Sequence, residues 1–180
     1  MTDPILPLDF LWGFELRAHL IVQQVNLDTR IEDIVNLFDG RNLMTITHVR
    51  CSCGVVEMQL KGAPMAQYIC HCDDCQAVHG KGYAVALYPA SAVEVTRGET
   101  DSFSLKTSPR TKCSRCATYL FAEVPGYPFR GVNADLLPDG RFNPEFHVQC
   151  RFAVAPIEDE LPHYKDRPAK FRGSGELMSW

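Results

Sequence analysis

The sequence predicts a mainly β domain of short antiparallel strands, preceded by a helical extension. Three observations carry that expectation. From Met44 onward apolar and polar residues alternate over short runs, which is the period of a half-buried strand. Turn residues punctuate those runs, at Gly54, Pro89, Gly98 and Pro125-Gly126. Seven of the eight cysteines fall into three tight groups in the same region, whereas residues 1–44 contain none. Short strands separated by turn signals suit a sandwich or a barrel.

Residues 1–44 form the extension. Thr29-Arg-Ile-Glu32 fits a capping box, in which the Thr hydroxyl accepts from the backbone at Glu32 and the Glu side chain reaches back. Ile31, Ile34, Val35 and Phe38 follow at helical spacing, and Gly40 stands where a left-handed cap is needed. The pattern predicts an amphipathic helix over 29–39. Its apolar stripe must bury against the main domain, a partner or a second copy, and the last of these would make a homo-oligomer. The alternative is an upstream segment of little consequence, with Met44 as the start of the working chain.

The strands follow in order. Met44–Val49 leads into Cys51-Ser-Cys53-Gly54, after which Val56, Met58 and Leu60 alternate with Glu57 and Gln59. Tyr83–Tyr88, Ala92–Thr96 and Ser102–Leu105 are short strands, Thr118–Val124 runs to Pro125-Gly126, and Glu145–Gln149 is a further candidate. One helix of a turn or two is expected after Cys72. The cysteine-bearing domain spans 45–168, and 169–180 is expected to be a flexible tail.

Composition sets bounds on function. The chain has 180 residues, 46% hydrophobic, enough to bury a core without disulfide staples. Eighteen Lys and Arg against twenty-two Asp and Glu leave a net charge of −4 and a pI near 5.8, which disfavours a nucleic-acid partner gripped through phosphates. No run reaches the ~18 apolar residues of a membrane span; Phe10–Val25 is broken by Glu15, Arg17 and His19. The N-terminus carries no basic leader, so a cytoplasmic protein is expected. In that reducing compartment, clustered thiols read as metal ligands or redox groups.

The three clusters divide by valence. Cys113-x-x-Cys116 on a hairpin is a zinc knuckle and supplies half a tetrahedron. Cys51-x-Cys53 supplies the other half, giving a saturated four-thiolate structural site. Cys70-x-Cys72-x-x-Cys75 offers three thiolates, and three protein ligands with one open position are the usual arrangement of a catalytic zinc. Three sulfurs make a soft ion that favours another thiolate, so a thiol substrate is expected. His71, between two of these cysteines, is expected to point away. His79 is the alternative fourth ligand that would close the site. A Cys-x-x-Cys redox relay and iron in the four-sulfur site are the competing readings, and Cys150 is expected to be a buried small residue.

Cys-x-Cys-Gly-x-Val, then Cys-His-Cys-x-x-Cys, then Cys-x-x-Cys resembles the glutathione-dependent formaldehyde-activating enzyme family, which includes centromere protein V. The likeness runs from about Thr45 to about Pro168 and takes in Pro125-Gly-Tyr-Pro128 and Glu158-Asp-Glu-Leu-Pro162. It implies a tent-shaped β-fold shared with methionine sulfoxide reductase B, built around a structural zinc on Cys51, Cys53, Cys113 and Cys116. It also implies a second, catalytic zinc on Cys70, Cys72 and Cys75. The reaction it implies is a carbon–sulfur lyase's condensation of formaldehyde with glutathione. Two residues depart from the family pattern. Ala117 stands where Gly is usual after the knuckle, and Gln76 replaces a common Arg.

The expected function is therefore a zinc enzyme joining a small thiol to a small aldehyde. Lys106, Arg110, Lys112 and Arg115 are candidates to receive the carboxylates of a glutathione-like thiol. His71, His79 and His147 are all candidates for a general base, and nothing in the sequence ranks them. The alternative is a non-catalytic, zinc-stabilised interaction module or metal-binding protein.

Overall fold

Ten strands and one helix run along the described residues, 45–106 and 108–180, of the computed structural model. The strands before the helix are β1 (Ile46–Arg50), β2 (Glu57–Lys61) and β3 (Ala66–Cys70), and the helix is α1 (Asp73–His79). After it come β4 (Tyr83–Pro89), β5 (Val93–Arg97), β6 (Thr100–Ser104), β7 (Pro109–Cys113), β8 (Tyr119–Glu123), β9 (Phe129–Asn133) and β10 (Phe146–Val148). The helix expected over 29–39 lies outside the described residues. No helix among the described residues is long and apolar enough to cross a membrane.

The strands make two sheets, ordered β1-β2-β5 and β10-β3-β4-β9-β8-β7-β6. Neighbours are antiparallel except for one pair: β10 runs parallel to β3, with His147 opposite Ile69 and Val148 opposite Cys70. That pair departs from the all-antiparallel expectation. A parallel pair needs a long connection, and the stretch from α1 to β9 supplies it.

Periodicity places the core. In β2, Met58 and Leu60 are fully buried while Glu57 and Gln59 are only partly covered. They join Val49, Val56, Ala86, Tyr88, Leu120 and Val132 in a first apolar cluster. β4 is buried on both faces: Ala86 and Tyr88 enter this cluster, and Leu87 enters a second one with Ala66, Phe146 and Val148. Each sulfur group is anchored to a cluster. Cys51 and Cys113 belong to the first, and Cys70 packs against the second.

Three strands escaped the sequence reading. β3 carries no clean alternation, being paired on both sides. β7 begins with Pro109 and carries Arg110 and Lys112, yet Arg110 is buried. β9 contains Gly131, where a side chain would press on Val85 Cγ1 at 3.1 Å.

The helix after Cys72 forms as expected. Cys72 is its N-cap, with its sulfur accepting from Cys75 N at 3.4 Å, and left-handed Gly80 closes it by donating to Gln76 O at 2.7 Å. The residues after Pro168, expected as a flexible tail, fold back onto the sheet edge. His163 pairs with His147, Tyr164 pairs with Leu177, and Met178 N donates to His163 O at 2.7 Å. Backbone hydrogen bonds, which leave no apolar period in the sequence, hold this edge together.

Candidate functional site

The four-cysteine group forms where two turns meet. Cys51 ends the first hairpin's leading strand, Cys53 follows in the turn, and Cys113 and Cys116 flank the turn between β7 and β8. Gly54 and Ala117 are both left-handed there, at φ 73° and 59°. The four sulfurs lie within 4.8 Å of one another. Cys51 Sγ is 3.5 Å from Cys53 Sγ, which is 3.9 Å from Cys113 Sγ. Tetrahedral metal–sulfur bonds of about 2.3 Å put sulfurs roughly 3.8 Å apart, so these residues fit a four-sulfur ion. Thr118 ties the turns together: its hydroxyl lies 3.0 Å from Cys116 Sγ and 2.9 Å from Ser52 Oγ, and accepts from Ser52 N. That hydroxyl lowers the Cys116 thiol to about 5.

The three-cysteine group is built by the end of β3 and the start of α1. The sulfurs of Cys70, Cys72 and Cys75 also lie within 4.8 Å of one another. Their proton affinities diverge. Hydrogen bonds from Cys70 and Cys75 hold Cys72 down to about 2. Cys75 gains from Cys70 but loses more to Cys72 and to burial, and is pushed up to about 12. Hydrogen bonding to Cys72 and Cys75, with burial, drives Cys70 well above the usual thiol range. Like charges on three sulfurs this close repel, and a cation among them relieves that repulsion, which is the donor chemistry of a metal site.

His79 is not the fourth donor. Among the described residues no histidine nitrogen or carboxylate oxygen shares the 4.8 Å group with the three sulfurs. The His79 ring instead stacks on Tyr83, centroids 3.6 Å apart, with Tyr119 edge-on at 4.9 Å. His71 turns away as expected, its Nε2 lying 2.8 Å from His147 Nδ1. Gln76 donates to His71 O at 2.6 Å and to Phe152 O at 2.7 Å, so it braces the cysteine loop in its own way. Cys150 is buried and apart from both groups, and burial pushes its thiol up to about 11.

The basic run divides. Lys106 pairs with Asp73, and Arg110 lies 3.6 Å from Asp74, which clamps the first turn of α1 against β7. Lys112 faces a cavity of about 360 Å³ shared with His79, Tyr83, Tyr119 and Asp135. Arg115 is exposed in the knuckle. His79 Nε2 and Tyr83 OH are buried at this cavity without hydrogen-bond partners. Tyr83 is also the register partner of Cys70, and His79 shares a helix with Cys75, whereas none of the three cysteines lines the cavity.

A third group escaped the sequence reading: His147, Asp159 and His163 present ligand atoms within 4.8 Å. Two histidines and a carboxylate are a familiar metal set. The protons exclude that use here. Trp180 Nε1, which can only donate, lies 3.0 Å from His163 Nδ1. His163 therefore carries its own proton on Nε2, the atom facing Asp159, where a metal would need a lone pair. Asp159 and His163 stand four residues apart in one loop, but their meeting with His147 of β10 leaves no signal in the sequence.

Two sheets with a saturated and an unsaturated cysteine group define a mainly β protein equipped to hold metal. The family model of the glutathione-dependent formaldehyde-activating enzyme matches residues 46–151, and the chain belongs to that family. No curated protein matches the chain. Among solved structures, the crystal structure of a Rhodobacter sphaeroides protein is similar at 25% identity and a TM-score of 0.42, covering 54% of this chain and 91% of that one.

Proposed function

We propose that the protein is a zinc-dependent enzyme of the carbon–sulfur lyase type, adding a glutathione-like thiol to a small aldehyde such as formaldehyde. Cys51, Cys53, Cys113 and Cys116 would hold a structural zinc, and Cys70, Cys72 and Cys75 a catalytic one. The observation that carries this reading is the unsaturated sulfur trio: three donors close together and no fourth from the described residues. When bound there, zinc would supply the Lewis acidity that makes an incoming thiol available as thiolate at neutral pH.

The chain's own residues do the rest. The Lys106–Asp73 and Arg110–Asp74 contacts hold the turn bearing Cys72 and Cys75. Lys112 offers the cavity a cation for a substrate carboxylate, and Asp135 offers an anion for an ammonium group. His79 Nε2 and Tyr83 OH, unpartnered in the protein, are satisfied by a polar ligand. In the reaction, the thiol sulfur bonds to the carbonyl carbon, the carbonyl π electrons move to oxygen, and the thiol's proton ends on that oxygen. The sum is an addition that needs no oxidant and expels no leaving group. Holding sulfur and carbonyl in contact is the main contribution of the cavity.

The test is calorimetric titration of the zinc-loaded full-length protein with glutathione, paired with magnetisation-exchange NMR on labelled formaldehyde and glutathione. Wild type is expected to hold two zinc ions, bind glutathione and accelerate exchange. Cys72→Ser is expected to hold one and do neither. Absence of binding heat at millimolar glutathione, with two zinc ions present, rules the reading out.

A further inference from the structure

Beyond the cysteines, one feature crosses the whole sheet edge. β3, β10, the 162–164 segment and the 176–178 segment lie side by side through backbone hydrogen bonds: His71 N donates to Val148 O at 2.9 Å, Tyr164 N to His147 O at 3.0 Å and Met178 N to His163 O at 2.7 Å. A ladder of side chains runs along the same path. His71 Nε2 meets His147 Nδ1 at 2.8 Å, His147 Nε2 meets Asp159 Oδ2 at 2.8 Å, Asp159 Oδ1 meets His163 Nε2 at 2.9 Å, and His163 Nδ1 meets Trp180 Nε1 at 3.0 Å.

The two fixed chemistries in this ladder, together with a buried, neutral His147, determine every proton in it. The indole only donates and an ionised carboxylate only accepts. Trp180 therefore makes His163 Nδ1 an acceptor, and the His163 proton sits on Nε2 and points at Asp159. His147 likewise gives its Nε2 proton to Asp159, which leaves a lone pair on Nδ1. That lone pair accepts the Nε2 proton of His71. All bonds are satisfied with three neutral imidazoles and one carboxylate. Burial keeps His147 below its ordinary range, and Asp159, despite its own desolvation, is held as carboxylate by hydrogen bonds from His163 and Leu161 N.

His71 is the terminus that matters, because its neighbours on either side are Cys70 and Cys72. Its amide is held by Val148 O, its carbonyl by Gln76 and its ring by His147. We infer that Asp159 is a positioning residue that fixes the Cys70-His71-Cys72 arm of the sulfur trio through His147 and His71. The inference rests on the trio as a metal site, and partners that orient a metal site commonly carry a 10–100-fold share of metal affinity, as an order of magnitude.

Asp159→Asn supplies the test, because an amide both accepts and donates. Leu161 N and the His163 Nε2 proton both need an acceptor at the Oδ1 position, so the Asn oxygen stays there and the Asn NH2 must face His147 Nε2. The His147 proton then moves to Nδ1, so His71 either loses this bond or inverts and leaves its own Nδ1–H without a protein partner, and both outcomes loosen the arm. Nitrogen-15 NMR of the full-length metal-free protein is expected to show His71, His147 and His163 neutral with protons on Nε2 in wild type. It is expected to show His147 inverted to Nδ1–H in Asp159→Asn, with His163 unchanged. Chelator competition is expected to show an about tenfold weaker trio zinc in Asp159→Asn and an unchanged four-cysteine zinc.

A wild-type spectrum with any of the three rings protonated on Nδ1 overturns the inference without any variant. So does an Asp159→Asn protein that inverts His147 yet binds trio zinc as wild type does. If wild type binds only one zinc, the metal reading of the trio fails separately. The positioning inference is then judged by the alkylation rate of Cys72, which must still differ about tenfold between wild type and Asp159→Asn.

Discussion

Ala117 holds a left-handed backbone at φ 59°, the conformation that the resemblance flagged by its usual Gly. A Cβ there crowds the following carbonyl, so Ala117→Gly is expected to stabilise the protein by about 1 kcal/mol. A rise in the urea midpoint at constant slope checks it; an unchanged midpoint removes the strain argument. His79 makes a second case. Burial, reinforced by the Arg110 charge, lowers it from 6.5 to about 4. Between those values the unfolded chain binds a proton that the folded chain refuses, so stability is present above pH 6.5 and is lost as pH falls towards 4. His79→Phe removes this sensitivity and the orphaned Nε2 with it. Urea melts of both proteins at about pH 7.5 and about pH 5 are expected to show a smaller loss in the variant. Equal losses would count against the buried neutral imidazole.

Among the elements, the short connection from α1 into β4 controls where His71 can lie. A Cβ on Gly82 would stand 2.6 Å from His71 Cε1 and 2.8 Å from its Nδ1. Gly82→Ala therefore displaces the ring and strains its bond to His147, at an overpacking cost of roughly 1–3 kcal/mol. Zinc release followed with a colorimetric chelator is expected to speed up for the trio and not for the quartet. Release of both at wild-type rates would show that the ring shifts without carrying the cysteine arm. α1 itself depends on what surrounds it. Seven residues are too few for a helix to persist alone, and its placement comes from the Cys72 and Gly80 caps and from Lys106 and Arg110 on its two aspartates.

Across the whole molecule, the two sulfur groups stand in different relations to the fold. Cys51 and Cys113 are built into the larger core and join turns sixty residues apart, whereas Cys70, Cys72 and Cys75 come from one short segment. Stripping metal stepwise is expected to be silent in far-UV circular dichroism for the trio's zinc and to melt the sheets for the quartet's. A single concerted step would mean that both groups are structural.

The strands with clean alternation, the helix after Cys72 and the grouping of the cysteines were legible in the sequence because each is local. A period of two, a cap pair or a two-residue ligand spacing is written within one turn or strand. β7 and β9 were hidden because a buried Arg110 and a close-packed Gly131 make sense only against α1 and Val85. Tertiary structure alone decided that His79 stacks on Tyr83 instead of joining the sulfurs, and that five side chains from His71 to Trp180 share one line of protons. Such contacts join residues far apart in the chain, and their geometry exists only once backbone pairing has brought the segments side by side.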